Sequence, residues 1–174
     1  NAIKKQMNDA VFLFVGAKGK MEMEKVPQAG FDIEGIDIAG FNRSALIKNI
    51  SLPFKLIKSF VQVAGIFKRF KPDAVIGVGG YSTFPVLKYA QSKGTPTFIH
   101  EANSFAGKSN MLLAKKATRI FTASEGMERF FPSEKISVSG NPVRESIVNS
   151  KVDKHTALHH FRLSENKKTV LVIG

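Results

Sequence analysis

The stretch that decides the fold reads Asp73-Ala-Val-Ile-Gly-Val-Gly-Gly-Tyr81-Ser-Thr-Phe-Pro85. Its Val- and Ile-rich half is typical of a buried parallel strand, and it ends in Gly79 and Gly80, which allow backbone conformations closed to other residues. A helix is expected next, entered through the proline and capped by Ser82 or Thr83. Because unpaired N–H groups at a helix start attract phosphate or carboxylate, this stretch predicts an anion site.

Composition describes a globular chain with a strong excess of positive charge. Its 174 residues suffice for about one ordinary domain, and 43% of them are hydrophobic, including 15 Phe. Because Cys is absent, disulfides, thiolate catalysis and Cys-based metal sites are excluded. No run reaches the roughly 18 apolar residues that span a bilayer, and no signal peptide is evident. Lys and Arg outnumber Asp and Glu by 26 to 14, which favours anionic partners.

Apolar runs typical of strands alternate with helical patterns along most of the chain. This order predicts an α/β fold with a Rossmann-like, doubly wound parallel sheet. The predicted strands are residues 11–15, 31–38, 74–78, 97–100, 119–123 and 136–139, and the predicted helices around them are 20–28, 85–92, 104–116 and 125–131.

The two ends predict a piece of a longer protein. Residues 1–6 resemble the end of a helix, and residues 170–174 resemble a strand that enters a glycine loop. A polar segment with one predicted helix, residues 157–161, precedes that strand, and its histidines are expected to be exposed. We therefore expect a first domain at 1–148 and, at 149–174, a linker with the first strand of a second domain.

Three polar loops follow predicted strands. They read Gly79-Gly-Tyr81-Ser-Thr83, His100-Glu-Ala-Asn103-Ser104 and Gly140-Asn-Pro-Val-Arg144. In open α/β sheets, ligands bind beyond the carboxyl ends of the strands. Because all three loops follow strands of a parallel pattern, they are expected along one edge of the sheet.

The glycine run has two further interpretations. It matches the dinucleotide fingerprint G-x-G-x-x-G at Gly77 and Gly79 but has Ser82 at the third position, and Glu101 lies near the acidic spacing of that motif. A nucleotide-binding domain of an oxidoreductase is therefore the alternative function. A purely structural alternative is that these glycines only permit tight packing of strand on helix.

The second loop offers acid–base and hydrogen-bonding groups. His100 and Glu101 do not continue as H-E-x-x-H because position 104 is Ser, which disfavours zinc protease chemistry. His100 beside a carboxylate suits acid–base chemistry, or it supports the loop through a hydrogen bond. Asn103 suits sugar hydroxyls, with a helix cap before Phe105 as the alternative.

The third loop places Arg144 at a predicted strand-to-helix turn. A guanidinium there would complement a diphosphate or carboxylate, because an arginine at a helix start is unfavourable without an anion. The alternative is a solvated side chain or an ion pair with Glu145. No metal site is predicted.

A basic and very apolar helical region lies between Asp37 and Asp73, where no acidic residue occurs. Its apolar residues are too numerous for one core stripe, so a second face is expected to contact a partner. A core helix with a solvated charged face, a nucleic-acid surface and a membrane patch are the three interpretations, and nucleic acid is disfavoured because no binding module is recognisable. The two rows at helical spacing are Ile50, Phe54, Ile57 and Val61, and Leu56, Phe60, Val63 and Phe67.

Three motifs, taken in their order and spacing, resemble the MurG family, the N-acetylglucosaminyltransferases of peptidoglycan synthesis. They are Gly77-Val-Gly-Gly-Tyr81, His100-Glu-Ala-Asn103 and Gly140-Asn-Pro-Val-Arg144. Met21-Glu-Met-Glu24-x-x-Pro27 and Lys71-Pro-Asp73 are also similar to that family, and the resemblance covers nearly the whole chain. The family's second motif is usually H-E-Q-N, so Ala102 is a departure.

The resemblance implies the N-terminal, acceptor-side half of a GT-B glycosyltransferase. Such an enzyme transfers GlcNAc from UDP-GlcNAc to the undecaprenyl-linked lipid I, with inversion, and forms lipid II. The family's G-G-T-G-G-H loop, with the expected catalytic base, would lie upstream of Asn1, so the catalytic residue is unknown here. No cofactor or metal is expected in this half, and alone it is expected to be inactive.

The resemblance also implies roles for individual residues. Asn103 and Arg144 match positions that contact UDP-GlcNAc. His100 and Glu101 match cleft positions and are possible supporting groups of catalysis. The positions that match the glycine loop near the acceptor diphosphate are Gly79, Gly80 and Tyr81.

A membrane role follows for the basic helix, because the acceptor is a lipid. The family implies a peripheral protein on the cytoplasmic face of the bacterial inner membrane that binds an anionic surface, and cell-wall synthesis proteins are candidate partners. The predicted patch comprises Ile50, Phe54, Ile57 and Phe60, flanked by Lys48, Lys55 and Lys58.

Overall fold

The computed structural model describes residues 2–40, 50–143 and 145–171. Helices and strands alternate along the chain, as predicted, with bounds that differ by a few residues from those that the sequence pattern indicated. The strands are β1 Leu13–Ala17, β2 Asp32–Ile36, β3 Val75–Gly77, β4 Thr97–Glu101, β5 Arg119–Thr122 and β6 Ile136–Val138. The helices are α1 Ala2–Gln6, α2 Glu22–Gln28, α3 Leu52–Phe70, α4 Thr83–Ser92, α5 Lys108–Ala114, α6 Glu145–Val148 and α7 Lys154–His160, with 3₁₀ turns at Met127–Arg129 and Ser133–Lys135.

All strand pairs are parallel, which confirms the predicted α/β class. Within the described residues, pairing is divided between two sheets, with orders β1-β2 and β3-β4-β5-β6. In the larger sheet Gly77 pairs with Ile99, and Glu101 pairs with Thr122. The segments that follow β3, β4 and β6 therefore leave the sheet at the same edge.

Two clusters of buried side chains hold the helices on the sheets. One contains Leu87 of α4, Ile99 of β4, Leu113 of α5 and Ile120 of β5. The other contains Ile36 of β2 with Val63 and Ile66 of α3 and Val86 of α4, and strands of both sheets pack against it through Val15 and Val75. Because α4 contributes to both clusters, its position is set from two sides.

Helix α3 has one apolar row on its buried side and one on its exposed side, in agreement with the two apolar rows at helical spacing in the sequence. Val63 of the second row is buried, and Leu56, Phe60 and Phe67 are half-buried. Pro53 does not break the helix but lies in its first turn, where a proline is tolerated. In the first row, the exposed fractions are 72% for Ile50, which precedes the helix, 73% for Phe54, 64% for Ile57 and 69% for Val61.

Asp37, just after β2, ties that strand to α3. Its Oδ2 lies 3.0 Å from Lys58 Nζ and 3.2 Å from Lys18 Nζ. Gln62 donates through Nε2 to the same oxygen at 2.8 Å and accepts the N–H of Asp37 at 2.8 Å. Hydrogen bonds from Lys58, Gln62 and Lys18 lower the pKa of Asp37 to about 2.

Two helix starts differ from the sequence-based expectation. Ser82 precedes α4 without a side-chain capping bond, and α4 begins at Thr83, whose hydroxyl donates to the carbonyl of Gly79. Helix α5 begins at Lys108, four residues later than expected from the pattern, so the alternative in which Asn103 caps this helix is wrong. The reason lies in Glu101, which draws the N–H groups of Asn103 and Gly107 around its carboxylate and keeps this segment in a loop.

Contacts divide the chain into two compact units, Asn1–Asn141 and Pro142–Gly174. In the second unit α7 overlaps the predicted linker helix and ends one residue earlier, and His155, His159 and His160 are exposed as predicted. Val170 and Leu171 lie in no strand, and residues 172–174 are outside the described part. The predicted domain bounds at 148 and 149 stay a prediction.

A search of the described residues for helices that could cross a membrane finds none of sufficient length and apolarity.

Candidate functional site

The candidate site is the edge of the larger sheet where β3, β4 and β6 end. The loop after β3 carries Gly79 and Gly80, and the loop after β4 carries Asn103. Gly140 and Asn141 follow β6. The parallel register brings these three sequence motifs to one edge because each follows a strand of the same direction.

The glycines of the first loop have two different physical roles. A Cβ at Gly77 would lie 2.5 Å from Thr83 Cγ2 and 2.8 Å from Leu87 Cδ2, so this glycine permits the packing of α4 on β3. Gly79 and Gly80 instead have φ values of 92° and 81°, in the region that favours glycine. A Cβ at Gly80 would meet no described atom within 4 Å. The packing explanation therefore holds for Gly77, whereas Gly79 and Gly80 shape an open loop.

The ring of Tyr81 closes this loop against the segment after β2. It is half-buried, and a Cβ at Gly40 would lie 3.0 Å from its Cδ1. Such a distance is shorter than a normal van der Waals contact between carbon atoms. A side chain at Gly40 would therefore require the aromatic ring to shift by a few tenths of an ångström.

Glu101, the last residue of β4, is the buried centre of the second loop. The residue is 3% exposed. Its Oε1 accepts the N–H and the Nδ2 of Asn103, both at 3.1 Å. Its Oε2 accepts the N–H of Gly107 and the Nδ2 of Asn110, both at 2.9 Å. Four donors thus surround one carboxylate.

These donors decide the ionisation of Glu101. Burial of the carboxyl raises its pKa, but the hydrogen bonds from Gly107, Asn110 and Asn103 together outweigh that effect. The net result is a pKa of Glu101 below its ordinary value of 4.5. A carboxylate with a lowered pKa and occupied oxygens is a weak base, so this geometry suits support of the loop better than proton transfer.

Two contacts join the second loop to the third. The Nε2 of His100 lies 3.2 Å from the carbonyl oxygen of Gly140. Because a carbonyl oxygen only accepts hydrogen bonds, Nε2 must carry the hydrogen in this contact. Asn141 donates through Nδ2 to the carbonyl of Ala102 at 3.2 Å. Of the two roles considered for His100, its contact with Gly140 favours support of a loop.

Asn110 is a residue of this site that the sequence motifs did not indicate. It lies on α5, is 1% exposed and contacts the carboxylate of Glu101. A Cβ at Gly79 would lie 3.6 Å from its Nδ2, so Asn110 also borders the glycine loop. One signal could have revealed it: a polar residue occupies the first position of the buried row Asn110, Leu113, Ala114 and Ala117.

Two predicted residues lie outside the described part of the chain. These are Arg144 of the third loop and Lys48 of the membrane patch. Their predicted roles stay predictions. Within the described ranges, no group of three or more His, Asp or Glu side chains is arranged to hold a metal ion.

The fold is a Rossmann-like α/β domain with three polar loops at one edge of its larger sheet, and comparison with known proteins identifies its family. The model described as Glycosyltransferase family 28 N-terminal domain matches residues 1–122. The chain therefore belongs to this family. The alternative of an oxidoreductase domain finds no support among the matches.

Relatives of this chain are N-acetylglucosamine transferases by name. The UDP-N-acetylglucosamine–N-acetylmuramyl-(pentapeptide) pyrophosphoryl-undecaprenol N-acetylglucosamine transferase of Phocaeicola vulgatus is 51% identical over all 174 residues, which span 46% of that relative. The enzyme of the same name from Bacteroides fragilis is 48% identical over the same length and span. The chain thus spans about half the length of the curated relatives it matches.

A solved structure supports the fold assignment. The crystal structure of Acinetobacter baumannii MurG superposes with a TM-score of 0.66 and 28% sequence identity. The match covers 84% of this chain and 41% of that one. The described fold is accordingly that of the Rossmann-like N-terminal half of a GT-B glycosyltransferase.

Proposed function

We propose that the complete protein containing this chain transfers GlcNAc from UDP-GlcNAc to undecaprenyl-pyrophosphoryl-MurNAc-pentapeptide, forming lipid II. The observation that carries the proposal is the convergence of three loops at one sheet edge, in a chain that is 51% identical to a transferase of that name. In this reaction a muramoyl hydroxyl attacks the anomeric carbon of the donor. Its proton passes to a base, and UDP leaves with the electron pair of the broken glycosidic bond.

This chain supplies one wall of the cleft under the proposal. Asn103, exposed at the edge, contacts the nucleotide sugar, and Arg144 complements its negative charge. The glycine loop at Gly79 and Gly80 lies beside the acceptor diphosphate, where the start of α4 favours an anion. Tyr81 fixes the far end of that loop. The contacts of His100 and Glu101 support these positions, and the base is assigned to neither.

Kinetics of the complete protein test this assignment. Asn103→Ala and Arg144→Ala are expected to raise KM for UDP-GlcNAc, measured with radiolabelled donor and a lipid I analogue. KM for the donor equal to that of the wild type in both variants would refute the two contacts. This chain alone is expected to be inactive, and lipid II formed by it would contradict the division of the site between two halves.

A membrane surface is the proposed partner of α3. Phe54 and Ile57 of the helix, and Ile50 just before it, are exposed apolar residues, and Lys55 beside them is exposed. Each lysine near an anionic surface contributes on the order of 1 kcal/mol to binding. Lys58 also belongs to the patch but shares its ammonium with Asp37, so it contributes less than a free lysine would. Phe60 also belongs to the patch but is half-buried, so less of its side chain is available to the membrane than in the exposed residues. We place the protein peripherally on the cytoplasmic face of the membrane.

Vesicle sedimentation tests the membrane surface. Phe54→Asp combined with Lys55→Glu is expected to abolish binding to phosphatidylglycerol vesicles, whereas neutral phosphatidylcholine vesicles bind weakly throughout. The matched control is Phe161→Asp with Lys167→Glu, which makes the same two changes at exposed residues outside α3. Equal sedimentation of both double variants would refute a specific role of α3.

A further inference from the structure

The amide of Asn103 has only one orientation compatible with its neighbour. Its Nδ2 and its backbone N–H both point to Oε1 of Glu101 at 3.1 Å. An ionised carboxylate only accepts hydrogen bonds, so it must face the nitrogen of the amide and cannot face the oxygen. Among the described residues, Oδ1 of Asn103 has no hydrogen-bond partner, and the residue is exposed.

We propose that Glu101 is a positioning residue, which acts through Asn103 by presenting its Oδ1 as a hydrogen-bond acceptor toward the ligand. The inference rests on the proposed function and adds the chemistry of the contact. An acceptor recognises a hydroxyl or N–H group of the nucleotide sugar and repels phosphate oxygens. Asn103 therefore forms its hydrogen bond with the sugar or with the uracil of the donor, and the diphosphate is bound by other groups.

Helix α5 holds the carboxylate in place for this task. The N–H of Gly107 and the Nδ2 of Asn110 occupy Oε2 of Glu101, each at 2.9 Å, and leave Oε1 for Asn103. Asn110 keeps its nitrogen on the carboxylate although its own buried Oδ1 has no partner in the described structure. Leaving a buried acceptor unpaired is unfavourable, so the contact to Glu101 decides the orientation of this side chain. The charge on the carboxylate is thus what orients both asparagines.

Steady-state kinetics of the complete protein test the link through a double-mutant cycle. Glu101→Gln keeps the size of the side chain but places an amide nitrogen against the donors. It is expected to raise KM for UDP-GlcNAc about tenfold with a much smaller change in kcat, because the lost bonds involve a charged group that binds and does not react. If Glu101 acts through Asn103, the double variant Glu101→Gln/Asn103→Ala has the KM of Asn103→Ala alone.

Inhibition by UDP, which lacks the sugar, separates the parts of the donor. If Asn103 binds a sugar hydroxyl, UDP is expected to inhibit Glu101→Gln and the wild type equally. If Asn103 instead binds the N–H of the uracil, UDP is expected to inhibit the variant more weakly than the wild type. Inorganic pyrophosphate is expected to compete equally with both proteins. A variant-specific loss of pyrophosphate competition would overturn the acceptor assignment, because it would place the diphosphate at Asn103.

A matched control removes a hydrogen-bonding side chain between α4 and α5 at the opposite edge of the sheet. Gln91 donates through Nε2 to the carbonyl of Leu113 at 2.9 Å and to Thr97 Oγ1 at 3.2 Å. Gln91→Ala is expected to lower stability without a change in KM. An equal rise in KM in Gln91→Ala would show that general loosening, and not orientation of Asn103, explains the effect, and would overturn the proposal.

The remaining outcomes distinguish this inference from the proposed function. Unchanged KM in Asn103→Ala refutes the donor contact itself. Raised KM in Asn103→Ala with unchanged KM in Glu101→Gln refutes only the positioning role, as does an additive double variant. If Glu101→Gln does not fold, Asn110→Ala removes a single donor and is expected to raise KM about threefold, and an unchanged KM there overturns the inference.

Discussion

Two adjacent leucines of α5 allow a stringent test of the core that supports the site. Leu113 is 0% exposed and belongs to the cluster with Leu87, Ile99 and Ile120, whereas Leu112 is 70% exposed. Leu113→Ala and Leu112→Ala make the same chemical change on the same helix. Differences in helix propensity therefore largely cancel, and the comparison isolates burial.

The expected magnitudes follow from that burial. Leu113→Ala removes about three buried carbons, worth roughly 2.4 kcal/mol at about 0.8 kcal/mol each. The cavity left behind raises the expected loss of unfolding free energy to about 3–4 kcal/mol. Leu112→Ala removes carbons that are already largely in water, and its expected effect is within about 0.5 kcal/mol.

Urea titration followed by far-UV circular dichroism measures both effects. At a slope of about 2 kcal/mol per M, Leu113→Ala is expected to lower the midpoint by about 1.5–2 M, whereas Leu112→Ala leaves it nearly unchanged. Midpoints lowered equally by the two substitutions would refute the placement of α5. The orientation of Asn110 on the same helix would then lose its basis.

Three further predictions concern other parts of the chain. The pKa of Asp37 is lowered from its ordinary value of 3.8 to about 2, so its contribution to stability is present above pH 3.8 and is lost as the pH falls to about 2. Over this pH window the urea midpoint of Asp37→Asn should therefore fall less steeply than that of the wild type. Identical slopes of midpoint against pH in the two proteins would contradict this prediction. Gly77→Ala should lower the melting temperature because its Cβ would collide with Thr83, and an unchanged melting temperature would disprove the close approach. Asp153→Ala should reduce the helicity of α7, because it removes the acceptor for the N–H of Thr156. Amide hydrogen exchange of α7 measures this effect, and equal exchange rates in the variant and the wild type would contradict the prediction.

The fold class was predictable because its signals are local. Apolar runs bounded by glycine and proline identified every strand of the two sheets, and helical spacing identified α3 with its buried and exposed rows. One error occurred where a side chain outside the helix competes with the helical pattern for a backbone N–H group. Residues 104–107 read as helix, but Glu101 binds the N–H of Gly107 and delays α5 to Lys108.

The candidate site was predictable as a set of loops but not as a set of contacts. The sequence placed His100, Glu101 and Asn103 at a strand end without deciding between catalytic and supporting roles. Their hydrogen-bond partners favour the supporting roles, and these partners include Asn110 on the next helix and Gly140, which is 40 positions beyond His100. No local motif encodes such pairs, because parallel strands bring together residues that are far apart in the sequence.

By itself, the sequence determined the α/β alternation, the order of the three loops and the family resemblance, since all of these depend on periodicity and residue type along the chain. Only the tertiary structure decided that Gly77 serves packing while Gly79 and Gly80 shape a loop, and that Glu101 is surrounded by four donors. The physical reason is that hydrogen bonding and burial depend on which groups meet in space. The orientation of the Asn103 amide is an example, because its hydrogen bonds to Glu101 set it.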